Sequence, residues 1–191
     1  MPRRGLDREQ VVDAAIAIAD DEGLERVTLA RVAADLGVRA PSLYNHVDGR
    51  EALLREVSLR GIAGLAAALS RATVGRSGDE ALEAMAHAYR AYAAEHPGCY
   101  AATVAAPLGG DAEHAAAAAE PVGIVVAVIR PWELGPDDEL HAVRVIRSAL
   151  HGFIALEAGR GFALPLDLDA SFAALVAMLI GGLDRRRAET A

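Results

Sequence analysis

Apolar positions recur at helical spacing along most of this chain, interrupted by short breaks rich in Gly and Pro. The first stripe, Val12, Ala15, Ile16 and Ala19, predicts a helix over Arg8–Glu22. Asp7 and Gln10 stand in a capping-box arrangement at its start, Leu6 and Val11 in the staple positions, and Gly23 at its end. Leu29, Val32, Ala33 and Leu36 form a second, shorter stripe. Thr28 stands at its N-cap position and Gly37 just past its end, where a left-handed residue closes a helix. Pro41 pre-sets the backbone for a further short helix over Ser42–Val47, whose clear core residue before the end is Leu43. Asp48 and Glu51 then open a fourth helix, with Leu54, Val57, Gly61 and Leu65 on its inner face, expected to run to about Leu69.

Beyond a break at 73–78 the pattern continues as helix. Helices are expected over about Asp79–Glu95, around Tyr100–Ala106, and over 111–130 with a kink at Pro121-Val122-Gly123. A long helix follows from Asp137 to about Ala158, striped by Leu140, Val143, Ile146, Leu150, Phe153 and Ile154. The last helix, Leu168 to about Arg187, carries Phe172, Leu175, Val176, Leu179, Ile180 and Leu183 on a broad apolar face. The expected fold is all-α. It has an N-terminal three-helix helix-turn-helix domain (1–53) and a larger helical C-terminal domain (54–191), whose two amphipathic end helices suggest self-association.

Composition agrees. Of 191 residues 53% are apolar and only 4% aromatic, Ala dominates, and Ala, Leu, Arg and Glu are all good helix formers. The single cysteine, Cys99, excludes an internal disulfide and fits a reducing cytoplasm. The opening MPRRGLDREQ has no apolar stretch of the kind a secretory leader needs, and no run approaches the 18 uninterrupted apolar residues that would suggest a membrane span. A cytoplasmic protein without membrane attachment is expected.

The net charge of −8 argues at first against a polyanionic partner. Its distribution removes the objection: residues 26–60 carry six Arg against four acidic residues, a net of +2, while residues 61–191 carry ten against sixteen, a net of −6. An acidic body discourages nonspecific binding, and the helix pair stays free to read DNA.

A helix, a Gly turn and a second helix form the pattern whose second helix enters the DNA major groove. That helix carries Ser42, Tyr44, Asn45 and His46. Asn45 can address an adenine edge with two hydrogen bonds, and Ser42 can serve several bases or a phosphate. Tyr44 can donate its phenol to a phosphate, and His46 can touch phosphate or cap the helix end. Arg3 and Arg4, ahead of the first helix, form an arm suited to backbone or minor groove, and Thr28 joins the candidate set at the head of the second helix. In the C-terminal part Tyr89, Tyr92, Trp132, His151 and Phe153 are candidates to line a ligand cavity, with Glu157 as a polar group on the helix that carries His151. Leu150, Ile154, Phe172, Leu175, Val176 and Leu179 are candidates for a dimer interface. The motifs of zincins, α/β-hydrolases, P-loop proteins and dinucleotide-binding folds are missing, and the histidines lack metal-ligand spacing. No enzyme activity, cofactor or metal is expected.

Gly37-Val38, Ser42-Leu43-Tyr44, His46-Val47 and Arg50-Glu51-Ala52-Leu53-Leu54 together resemble the DNA-binding signature of TetR-type transcriptional regulators, in order and at the right distance from the N-terminus. The segment from Ala149 to Glu157, with Gly161-Phe162, resembles the WHG-type ligand-sensing subclass of that family, although Ser148 and Ala149 stand where its members carry an aromatic residue. The resemblance implies a homodimeric repressor on a palindromic double-stranded operator, released by a small molecule, with its last two helices forming a four-helix bundle. It implies a phosphate contact for Arg50. It also marks Arg39 as a departure from the usual Ser before the recognition helix, leaving backbone N–H groups there free for phosphate. Two alternatives stay open: a DNA-binding protein without an effector, and a helical ligand carrier or enzyme with a vestigial head.

Overall fold

The computed structural model describes residues 6–104 and 111–190, and among these every regular element is helical. Arg3 and Arg4 lie outside the described residues. Eight α-helices follow one another: α1 (Arg8–Glu22), α2 (Leu29–Asp35), α3 (Gly49–Thr73), α4 (Gly78–Glu95), α5 (Pro97–Ala102), α6 (Ala112–Ile129), α7 (Pro136–Ala158) and α8 (Leu168–Thr190). Short 3-10 segments occupy Leu24–Arg26, Ala40–Asn45 and Arg130–Trp132.

The caps read from sequence for the first two helices form as hydrogen bonds. The Gln10 amide donates to Asp7 Oδ1 (2.9 Å) and the Asp7 amide to Gln10 Oε1 (3.0 Å), a closed capping box. The Arg31 amide donates to Thr28 Oγ1 at 3.1 Å. Gly37 takes a left-handed φ of +66°, and the Val38 amide reaches back to the Ala33 carbonyl at 2.9 Å, closing α2 as a Schellman motif does.

Three elements differ from expectation. The helix expected over Ser42–Val47 is a 3-10 segment over Ala40–Asn45. Pro41 supplies no N–H, and bonds from the Ser42 amide to the Arg39 carbonyl and from the His46 amide to the Leu43 carbonyl, both 2.9 Å, wind it tightly. Helix α5 begins at Pro97, earlier than the Tyr100 start expected, because Pro97 suits a first helical turn. The end expected at Ala106 lies outside the described residues. Helix α6 runs through Pro121 uninterrupted. With the turn after it (Ala112–Trp132, mean hydropathy 1.5) it is long and apolar enough to cross a membrane, which the sequence reading had not anticipated. It nevertheless carries Glu113, His114 and Glu120, and His114 is buried against Ser58 of α3 at 2.8 Å.

The chain divides into two compact units. The first comprises Met1–Gly64 with Glu95–Ala118, the second Leu65–Ala94 with Ala119–Ala191. The core of the first gathers Val11, Val12, Ala15, Ile18, Val27, Val32, Leu43, Val47, Leu53 and Val57, and it also takes in Cys99 and Ala102 from α5. The second is centred on Leu82, Met85, Ile146, Leu150 and Phe172, all almost fully buried, with Val176, Ile180 and Leu183 adding the inner face of α8.

Candidate nucleic-acid interface

The Ala40–Asn45 segment is held by two apolar side chains four residues apart, Leu43 (0% exposed) and Val47 (5%). Ala40 packs beside them, and the polar side chains of the segment lie outside that core or at its edge. Tyr44 is 60% exposed although it is a large aromatic residue. Asn45 and Arg39 are exposed, and Ser42 and His46 half-buried. The Ser42 hydroxyl donates to the Arg39 carbonyl (2.7 Å), which fixes its rotamer and leaves its lone pairs to accept. The result is a compact row of donors and acceptors on a rigid support, suited to base edges and phosphates.

Two candidates serve this row from behind. Thr28 is exposed, but its hydroxyl accepts the N-terminal bond of α2. Arg50 donates through Nε to the Val27 carbonyl (2.7 Å) and through Nη2 to the Leu24 carbonyl (3.1 Å), tying the start of α3 to the turn between α1 and α2. Its remaining N–H groups stay on an exposed side chain. Arg31 fastens α2 to α1 through Glu22 at 2.7 Å, and that hydrogen bond holds the Glu22 carboxyl below the ordinary carboxylate range. The sequence reading passed over Arg31 because its partner lies nine residues away in another helix.

In the second unit Arg90 of α4 sits over the rings of Phe153 and Phe172, 5.6 and 4.9 Å from their centroids. It is paired with Glu157 of α7 through both carboxylate oxygens and with Asp169 of α8 at 2.7 Å. The pairing lowers the Glu157 carboxyl from its ordinary range. Glu157 thus works as an internal fastening. Phe153 also packs on Phe162 at 4.9 Å. Trp132 is buried and donates its indole N–H to Asp184 at 2.8 Å. Tyr89 and Tyr92 are buried and His151 is half-buried. A cavity of about 230 Å³ lies between α7 and α8 and another of about 360 Å³ beside Val74 and Ile124, and none of the six candidate ligand residues lines either.

Four of the six interface candidates are core residues instead: Leu150, Ile154, Phe172 and Val176 are between 0% and 6% exposed within the single chain. The broad stripe on α8 is wide enough to face inward on one side and outward on the other. Leu175 and Leu179 are half-buried, and Met178 is 67% exposed. On α7 Leu140 and Val145 are 48% and 57% exposed. The groove between these helices is floored by Ala142, Val145, Ile146, Leu179 and Leu183 and rimmed by Asp138, His141 and Arg186.

A small all-α protein with such a helix-turn-helix head falls in the class of helix-turn-helix proteins. The comparisons with known proteins narrow the class. Residues 11–57 match the model of the bacterial regulatory proteins of the tetR family, and residues 82–179 that of the tetracyclin repressor-like C-terminal domain. An uncharacterized HTH-type transcriptional regulator of Mycobacterium tuberculosis is 41% identical, covering 95% of this chain and 83% of its own length. YobS, an HTH-type regulator of Bacillus subtilis, is 35% identical over 95% of both chains. The crystal structure of BioQ with its double-stranded DNA operator shares the fold, with a TM-score of 0.70 and 22% identity over 95% of this chain and 99% of that one. The chain belongs to the TetR family of helix-turn-helix transcriptional regulators.

Proposed function

We propose that this protein is a homodimeric TetR-type repressor that binds a palindromic DNA operator and leaves it when a small molecule binds its C-terminal domain. The observation that carries the reading is the exposed polar row on the Ala40–Asn45 segment, above all an aromatic side chain, Tyr44, left 60% exposed beside Asn45. Burial of that ring would be favourable, and a DNA backbone offers both a surface for it and an acceptor for its hydroxyl. Asn45 reads one base per half-site, Ser42 and Arg39 contact bases or phosphate, His46 contacts phosphate, and Arg50 and Thr28 hold the segment's support. A fold relative solved on its operator supports the same use of the head. The protein acts in the cytoplasm as a regulator and not as a catalyst.

The dimer in this reading forms on the outward faces of α7 and α8. Val145 and Met178 supply exposed apolar area, and half-buried Leu175 and Leu179 border it. Isologous packing sets these residues against their own copies around a two-fold axis, matching operator palindromy. The effector is a mostly apolar molecule held near Tyr89, Tyr92, His151 and Phe153, and Glu157 and Trp132 serve instead as internal partners of Arg90 and Asp184. A coupling of roughly 1–3 kcal/mol changes operator occupancy about 5- to 150-fold. The test is selection of duplexes from random-sequence DNA by the wild-type protein. A palindromic consensus with two half-sites about one helical turn, or a multiple, apart is expected; recovery of unselected DNA only would overturn the reading.

A further inference from the structure

The core of the DNA-binding head is completed from far along the chain. Cys99 and Ala102 of α5 are 4% and 7% exposed and belong to the same apolar cluster as Val11, Val32, Leu43 and Val57. Three contacts fix α5 there. Asp20, near the end of α1, accepts the first backbone amides of α5 on a single oxygen: Gly98 N–H at 2.8 Å and Cys99 N–H at 2.9 Å from Oδ1. Its other oxygen lies 3.7 Å from His96 Nδ1. Gly98 is pressed so closely on α1 that a Cβ there would fall 2.1–2.2 Å from the Ala19 carbonyl group. On the opposite side, a Cβ on Gly61 of α3 would fall 2.5 Å from the Cys99 carbonyl oxygen.

A further contact closes the far end of α5. The Ser58 hydroxyl of α3 donates to the Ala102 carbonyl at 2.8 Å, so its oxygen receives the Nε2–H of His114, also at 2.8 Å. Helix α5 is therefore wedged between α1 and α3, whose Val11, Ile18, Leu53 and Val57 share one apolar core with Leu43 of the Ala40–Asn45 segment. Two glycines let it approach both backbones, and one carboxylate locks its first turn.

We propose that Asp20 is a positioning residue for DNA binding: by clamping the first turn of α5 on α1 it keeps α1 and α3 in the arrangement that presents Ser42, Tyr44 and Asn45, and the head is competent only while the clamp is closed. The proposal rests on the operator-binding function proposed above. The chain carries its own reporter, since Cys99 is its only cysteine and sits within the clamp. Burial, reinforced by Asp20, pushes the thiol up to about 11, so a closed clamp reacts slowly with a disulfide reagent and an open one quickly.

Two readouts on the full-length protein test this: the rate at which 5,5′-dithiobis(2-nitrobenzoate) labels Cys99, and affinity for a duplex selected from random-sequence DNA by the wild type. In Asp20→Ala both amides lose a charged acceptor, so labelling is expected to accelerate about ten-fold and affinity to fall about ten-fold, with helix content unchanged. Asp20→Asn keeps a carbonyl oxygen for both amides and should restore both readouts to within about three-fold of wild type. Gly98→Ala should behave as Asp20→Ala, by steric displacement. Wild-type labelling and wild-type affinity in Asp20→Ala would overturn the proposal, as would an Asp20→Asn protein as impaired as the alanine variant. Failure of the wild type to select any sequence would count against the DNA-binding function, and the labelling rates would still decide whether the clamp exists.

Discussion

The recognition segment and the outer faces of α7 and α8 are opposite solutions to the same constraint. The first buries its few apolar residues, Leu43 and Val47, and exposes hydrogen-bonding groups. The second leaves Val145 and Met178 more than half exposed, while Glu157 on another face of α7 is taken up by Arg90 of α4. What a surface leaves unsatisfied indicates what can cover it. Exposed donors and acceptors on a rigid support suit a polar, directional partner such as a groove of DNA. Exposed aliphatic side chains beside a groove suit a second apolar protein surface.

The largest expected effect lies on the apolar side. Replacing Val145 and Met178 together by Glu would place unpaired carboxylates in the proposed interface at a cost of several kcal/mol. Sedimentation should then show a folded monomer. The same substitutions at Leu150 and Val176 should unfold the chain, because those residues are core. An unchanged dimer in the first variant would remove the contrast between the two regions.

Arg50→Ala comes next. Loss of its bonds to the Val27 and Leu24 carbonyls should lower the urea midpoint by an amount equivalent to about 1 kcal/mol, the side chain being exposed, as well as weakening DNA binding. A pure phosphate contact would change affinity and its salt dependence and leave stability alone.

Acid should act on the carboxylates that arginine holds down. The Glu157 carboxyl is lowered in the folded protein, chiefly by its hydrogen bond to Arg90, so the stability it contributes is fully present above its ordinary value of 4.5 and is lost as pH falls through the lowered folded value. Asp111 in the first unit behaves likewise, held down by Arg55 and by the His114 amide. Urea midpoints at neutral pH and at about pH 3.5 should differ less in Arg90→Gln than in the wild type. An equal difference would show that the pair contributes nothing to acid sensitivity.

The smallest effect is expected at Thr28→Ala, about 1 kcal/mol from loss of the α2 cap, read as a lower melting temperature with sequence preference on DNA intact.

Local features were legible in the sequence because they are written locally. Asp7 with Gln10, Thr28 and Gly37 each act within a few residues, and the stripes on α1, α7 and α8 repeat within one helix. That Tyr44 and Asn45 lie outside the core was legible too, since Leu43 and Val47 take the buried side. Long-range pairings were not. Nothing in periodicity joins Arg90 to Glu157, 67 residues on, so Glu157 read as a spare polar group. Asp20 and Gly98 lie 78 residues apart, and the six-residue α5 has no stripe of its own to announce that it completes the head. The apolar face of α8 was visible, but its division into Phe172 and Val176 inside and Met178 outside depends on where α7 packs.

The most direct test of the central claim, that the exposed row on Ala40–Asn45 reads DNA, is fluorescence anisotropy of a duplex selected by the wild type, titrated with wild-type and Asn45→Ala protein over a range of salt. Wild-type affinity should fall linearly with the logarithm of salt concentration. Asn45→Ala should lose roughly 1–3 kcal/mol on the selected duplex, little on a scrambled one, and keep the same salt slope. Equal affinity of the two proteins for the selected duplex would contradict the assignment of base reading to this segment.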